Sequence, residues 1–107
     1  MLVLIDALTV QSLRQIADFT VQERLPAASS FRPFADFGGL LSYGPSRAGS
    51  ERDAAGYVDK VLKGANPANL PFVQPTQFEL VLNLKTAKTL GSGLPPLLLA
   101  QADEVIE

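Results

Sequence analysis

The sequence predicts an α/β chain built on a βαβ unit with a parallel sheet. Three observations carry that expectation. Leu2-Val3-Leu4-Ile5 is a short, continuous apolar run, as in a strand buried on both faces. Leu13, Ile16, Ala17, Thr20 and Val21 then recur at helical spacing, with Arg14, Gln15, Asp18 and Gln22 on the opposite side. Pro26 stops that helix, and residues 27–31 follow as a second strand, weakened in propensity by its alanines and serines. Strand, helix and strand in that order favour parallel pairing.

The remaining elements follow in order. Thr9 is placed to cap the first helix. Asp36-Phe37-Gly38-Gly39 reads as a turn into a third strand over 40–43, which Gly44-Pro45 closes. A second helix is expected over 51–63, with Ala54, Ala55, Val58, Val61 and Leu62 as its apolar stripe and Gly64 just past its end. Glu51 and Asp53 would then sit at its N-terminus, where negative charge is favourable. Residues 66–75 are proline-rich and expected to be extended. Residues 78–82 read as a strand with Phe78, Leu80 and Leu82 on one face. Asn83 is placed to cap a short helix that Gly91 ends, and Pro95-Pro96 opens a last helical turn. Asp103, Glu104 and Glu107 read as a solvated tail.

Composition excludes several functions. The chain has 107 residues, no cysteine and no histidine. Disulfides, thiolate nucleophiles and the common zinc sites are therefore absent, as is the side chain most used for proton transfer near neutral pH. A net charge of −2 gives no basic footprint for nucleic acid. Gly91-Ser92-Gly93 lacks the third glycine of a dinucleotide fingerprint, and Ser42 has no histidine partner to make it a nucleophile. Neither carboxylate cluster has calcium-loop spacing. No enzyme, cofactor or metal is expected. Met1-Leu2-Val3-Leu4-Ile5 has no positive region before it and meets Asp6 at once, so no export signal is read here.

In open α/β sheets, ligands gather at the carboxyl ends of parallel strands. The three expected ends supply Asp6, then Ser30, Phe31 and Arg32, then Ser42, Tyr43 and Gly44. A carboxylate pairs with an ammonium, Arg32 offers a two-point grip on a carboxylate, and the rings supply stacking area. Those groups fit a zwitterionic or aromatic solute. Each has a plainer reading: Asp6 as a cap or loop residue, Phe31 as core under a loop, Arg32 as a surface charge, and Tyr43 as a buried ring with a bonded hydroxyl.

The second half of the chain carries a series of spaced phrases. They are Gly38-Gly39-Leu40-Leu41-Ser42-Tyr43-Gly44-Pro45, Ala54-Ala55-Gly56-Tyr57-Val58-Asp59-Lys60-Val61-Leu62-Lys63-Gly64, Asn66-Pro67-Ala68-Asn69-Leu70-Pro71, and the run from Gln74 to Lys88 containing Glu79-Leu80-Val81-Leu82-Asn83-Leu84-Lys85-Thr86-Ala87-Lys88. The ending Ala102-Asp103-Glu104-Val105-Ile106 completes them. The series resembles the C-terminal portion of the ABC-transporter substrate-binding protein family that includes tryptophan- and tyrosine-type receptors. The resemblance implies part of a periplasmic-binding-protein type I-like fold. It places residues 1–107 as a single α/β fragment, with 1–44 in one lobe and 45–107 as crossover and part of the other.

The implied function is non-catalytic binding of an amino-acid-like or aromatic small molecule for uptake, by closure of two lobes. The implied partners are an ABC permease and either the missing N-terminal lobe or a second copy in a homodimer. The implied location is periplasmic or extracytoplasmic, and cytoplasmic if this sequence is the complete product. In that family the stretches matching Asp6 to Thr9 and Ser42 to Pro45 leave strands near the interlobe cleft, so the resemblance implies a cleft-facing role for them. After Ser-Tyr-Gly-Pro the family usually has an acidic residue, where this sequence reads Ser46-Arg47-Ala48-Gly49-Ser50. The competing expectation, from another class, is a truncated, non-binding α/β module that self-associates through uncovered apolar faces and sheet edges.

Overall fold

The computed structural model describes residues 1–107. They divide into two compact units: Met1–Gly44 together with Glu79–Glu107, and Pro45–Phe78. The chain leaves the first unit after Gly44 and re-enters it at Glu79. The sequence groups 45–107 together, whereas the structure returns Glu79–Glu107 to the unit of the first 44 residues. The physical reason is strand pairing, described next.

Five strands lie in the order β1 (Leu2–Val3), β2 (Ala28–Ser29), β3 (Leu41–Pro45), β4 (Phe78–Asn83) and β5 (Glu104–Ile106). Strands β1 and β2 pair in parallel, with Val3 opposite Ser29, and β2 pairs in parallel with β3, with Ser29 opposite Ser42. Strands β4 and β5 are also parallel, with Leu82 opposite Val105. Between the two groups the direction reverses. The N–H of Asn83, the last residue of β4, donates to the carbonyl of Leu40, just before β3 begins, at 2.9 Å. The α/β class and the parallel βαβ order stand, with one antiparallel seam inside the sheet.

The first strand departs from its expectation. Only Val3 is buried, while Leu2 and Leu4 are 68% and 73% exposed. Val3 points to the face that Leu13 and Ala17 cover, while Leu2 and Leu4 alternate to the face left open, so an apolar run that reads as buried on both faces is covered on one.

Two short helices follow, α1 (Ala7–Gln11) and α2 (Leu13–Gln22). The cap is Asp6 rather than Thr9. The Thr9 N–H donates to Asp6 Oδ1 at 2.8 Å, and the Asp6 N–H donates back to Thr9 Oγ1 at 2.8 Å, a reciprocal box that satisfies two helix-end donors. Leu13 and Ala17 of α2 join Val3, Ala27 and Phe34 in the core, with Ile16 and Phe31 packed against them. Phe34 belongs to α3 (Pro33–Asp36), a single turn between β2 and β3. Proline at its start is compatible with helix, because the missing N–H would have no partner there.

Asn83 ends β4 and caps α5 (Leu84–Leu90), as its sequence position predicts: the Thr86 N–H donates to Asn83 Oδ1 at 3.0 Å. Its other side-chain group donates to the Ala35 carbonyl at 3.0 Å, and Thr86 Oγ1 donates to the Gly38 carbonyl at 2.8 Å. Both residues are buried, so the polar groups are matched inside the unit. Gly91, with φ of 68°, ends α5 in the left-handed conformation. Pro96 opens α6 (Pro96–Gln101) as expected. Asp103, Glu104 and Glu107 are exposed as expected, but the tail is ordered. It forms β5, and the Leu80 N–H donates to Asp103 Oδ2 at 2.8 Å.

The unit Pro45–Phe78 holds α4 (Arg47–Leu62), which starts one turn earlier than expected. Ser46 caps it, accepting from the Gly49 N–H at 3.3 Å. Glu51 therefore lies within the helix, where it accepts from Arg47 Nε at 2.7 Å, and the first turn holds no acidic residue. Gly64, with φ of 100°, follows the helix end, and a 3-10 turn at Pro67–Asn69 interrupts the otherwise irregular segment beyond it. The Tyr57 hydroxyl donates to the Pro71 carbonyl. No helix of the chain is long and apolar enough to cross a membrane.

Val81 and Leu82 are fully buried in β4. Leu82→Ala is expected to destabilise by about 2–5 kcal/mol through lost burial and the cavity left behind. The check is the denaturant midpoint, with an unchanged slope.

Candidate functional site: the tips of the first three strands

The first unit sets the ends of β1, β2 and β3 side by side, because all three run the same way and pair in register at Val3, Ser29 and Ser42. The sequence-predicted residues take these positions. Asp6 follows β1, Ser30, Phe31 and Arg32 follow β2, and Ser42, Tyr43 and Gly44 lie within β3.

Their environments differ. Asp6 is exposed, and its carboxylate is held below the ordinary range chiefly by the Thr9 backbone N–H, with the Thr9 hydroxyl and the Leu8 N–H adding to it. Ser30 is exposed. Phe31 is half-buried against the core, so its ring serves packing while retaining an accessible part. Its N–H donates to Ser29 Oγ at 3.3 Å, which folds the chain back at the end of β2. Ser42 is 2% exposed and lies beneath the surface, whereas Tyr43, its neighbour on the other face of the strand, is 57% exposed. Of the two readings of Tyr43, the structure matches the accessible ring and not the buried one.

Gly44 fixes the spacing of two of these tips. A Cβ there would lie 2.0 Å from the Ser30 carbonyl oxygen. That distance is far inside van der Waals contact, and the obstruction is backbone. Only glycine allows the end of β3 to approach the end of β2 this closely.

Arg32 is engaged more heavily than its sequence position foretells. Its Nη2 lies 2.5 Å from Glu104 Oε2, its Nη1 3.7 Å from Glu79 Oε2, and its Nε 3.7 Å from Asp36 Oδ2. The hydrogen bond to Glu104 comes first among the influences that raise its affinity for its proton; the three carboxylate fields add to it, and partial desolvation opposes. Sequence reasoning missed Glu79 and Glu104. Both stand at strand beginnings, and the antiparallel seam between β3 and β4 is what carries those beginnings to the same edge as the ends of β1–β3. No residue pattern announces that reversal.

The comparisons with known proteins extend this picture. A family model described as ABC transporter substrate binding protein matches residues 1–106. The chain belongs to the ABC transporter substrate-binding protein family. Among solved structures, a conserved domain protein from Vibrio cholerae O1 biovar El Tor aligns with a TM-score of 0.89 at 24% identity, over 97% of this chain and 35% of its own. An ABC domain from Streptococcus pneumonia, in complex with L-Trp, aligns with a TM-score of 0.84 at 26% identity, over 95% and 35% respectively. A ligand-free, open substrate binding protein with adhesive properties from Clostridium difficile aligns with a TM-score of 0.70 at 16% identity, over 99% and 35%. A search of curated proteins gave no match. This substrate-binding family member therefore spans about a third of the length of the structures it matches, and shares their periplasmic-binding-protein-like fold.

Gly44→Ala is expected to destabilise the chain by about 1–3 kcal/mol, the usual cost of overpacking. Gly56→Ala is the control. Nothing lies within 4 Å of a Cβ there and the residue is inside α4, so stability should rise by about 0.5–1 kcal/mol. Thermal denaturation of the two variants beside the parent checks both signs.

Proposed function

We propose that the tips of β1–β3 form one wall of a small-molecule site in an ABC importer's solute-binding protein. The wall is built from Asp6, Ser30, Phe31, Tyr43 and Gly44, with Ser42 supporting it from beneath and Arg32 at its rim. The carrying observation is the register of the three parallel strands, which brings one carboxylate, one hydroxyl and one accessible aromatic ring to a single sheet edge. Family membership supports reversible solute binding, with no covalent step, and supports a permease as the downstream partner. The L-Trp in the Streptococcus pneumonia neighbour supports an amino-acid-like or aromatic solute, since Tyr43 offers stacking area. The opposite wall belongs to polypeptide of the kind that makes up the rest of the relatives' length. On this reading residues 1–44 belong to one lobe, Pro45–Phe78 to the crossing segment and the other lobe, and the protein works outside the cytoplasm.

The test is an amide NMR titration of the labelled chain with L-tryptophan, L-tyrosine and L-alanine at millimolar concentrations, where binding to a single wall is still visible. Shifts are expected at Ser30, Phe31, Tyr43 and Gly44 with the two aromatic amino acids, and not with L-alanine. Shifts confined to α4, or equal for all three solutes, would overturn the proposal.

A second reading has its own observation. Leu2, Leu4 and Leu8 are each about two-thirds or more exposed beside the unpaired edge of β1. Apolar surface of this kind gives roughly 25 cal/mol per Å² when covered, which favours a homodimer of the isolated chain. Sedimentation equilibrium is expected to show a concentration-dependent dimer that Leu4→Lys abolishes. A monomer at several hundred micromolar would remove this reading.

A further inference from the structure

We propose that Arg32 is a positioning residue that clasps the beginnings of β4 and β5 to the end of β2, and that it does not hold the carboxylate of a solute. The functional half of this inference rests on the strand-tip wall described above. The clasp itself stands on geometry alone.

Three different nitrogens of one guanidinium face three different carboxylates: Nη2 toward Glu104 at 2.5 Å, Nη1 toward Glu79 at 3.7 Å and Nε toward Asp36 at 3.7 Å. A fork-shaped donor set can divide itself in this way, whereas a lysine ammonium is one compact charge. The partners lie on separate elements. Glu104 opens β5, Glu79 lies one residue inside β4, and Asp36 ends α3. Strand β5 has three residues and is held at its other side by β4 only. A short edge strand with few buried residues opens readily, so a contact across two strand beginnings acts where the sheet is weakest.

The same geometry bears on recognition. A solute carboxylate approaching Arg32 meets a guanidinium already surrounded by negative charge, and would have to displace Glu104 to gain two-point contact. Carboxylate recognition then falls to the opposite wall. Arg32 instead keeps the rim beside Phe31 and Tyr43 in one arrangement.

Amide hydrogen exchange and solute titration test the two halves separately. In Arg32→Gln, exchange at Val105 and Ile106 should accelerate about fivefold relative to Ala28 and Ser29. Glu104→Gln should do the same with Arg32 in place, which keeps the test open if the first variant folds poorly. Arg32→Lys should restore less than half of the protection. Raising NaCl to 1 M should accelerate β5 exchange in the parent and leave Arg32→Gln unchanged, because salt screens a pair that the variant no longer has. Unchanged β5 exchange in both Gln variants would overturn the clasp.

For recognition, L-tryptophan is compared with tryptamine, which lacks the carboxylate. The clasp predicts that Arg32→Gln weakens the two alike. Loss of L-tryptophan shifts with tryptamine unaffected would show that Arg32 grips the carboxylate, and would overturn the positioning role. If the parent responds to neither probe, the strand-tip wall fails as a solute site while the exchange result still decides the clasp.

Discussion

The reversal of direction between β3 and β4 is the constraint on which the arrangement depends. In a wholly parallel sheet, the beginnings of β4 and β5 would lie at the edge opposite the ends of β1–β3, and no ion pair could join them. Because Asn83 pairs with Leu40 rather than with a residue at the far end of β3, Glu79 and Glu104 arrive beside Arg32. The edge thus holds strand ends and strand beginnings together. Its charge comes from both halves of the sequence.

That reversal also explains what the sequence disclosed and what it withheld. Local signals were read well where a backbone requirement selects the residue. Asn83 as a cap, Gly64 and Gly91 as helix ends and Pro96 as a helix start all follow from capping geometry, and each lies where its chemistry places it. The strand–helix–strand order was legible as parallel pairing, and that pairing sets the ends of β1 and β2 beside β3. The misreadings share a different cause. Residues 2–5 are apolar throughout, but how many faces are covered depends on what packs over each, and hydropathy carries no such information. Residues 103–107 look like a charged tail because three residues of strand are too few to show a period. The pairing of Arg32 with Glu79 and Glu104 escapes the sequence because long stretches of chain separate these residues.

The two units are stabilised differently. The first has a core in which Phe34, Leu13, Val81 and Leu82 are almost fully enclosed, and its buried polar groups are matched: Asn83 and Thr86 bond the carbonyls of Ala35 and Gly38. Within Pro45–Phe78, α4 buries only Gly49, and Phe72 is wholly exposed. That unit is held by end caps, by the Ser46 N–H donated to the Gln77 carbonyl at 2.8 Å and by the Tyr57 bond to Pro71. Such a segment draws little free energy from apolar burial, and belongs to the low-stability end of a cooperative structure.

Strands β3 and β4 form the stem from which the segment between Pro45 and Phe78 departs and to which it returns. The entropy lost in closing such a stem grows only with the logarithm of the number of residues enclosed, about 0.6 kcal/mol for each doubling. Sequence can therefore be inserted into or removed from this excursion without disturbing the pairing of Asn83 with Leu40. Such a segment is free to change in length and surface while the sheet edge that carries Ser30, Tyr43 and Gly44 keeps its geometry.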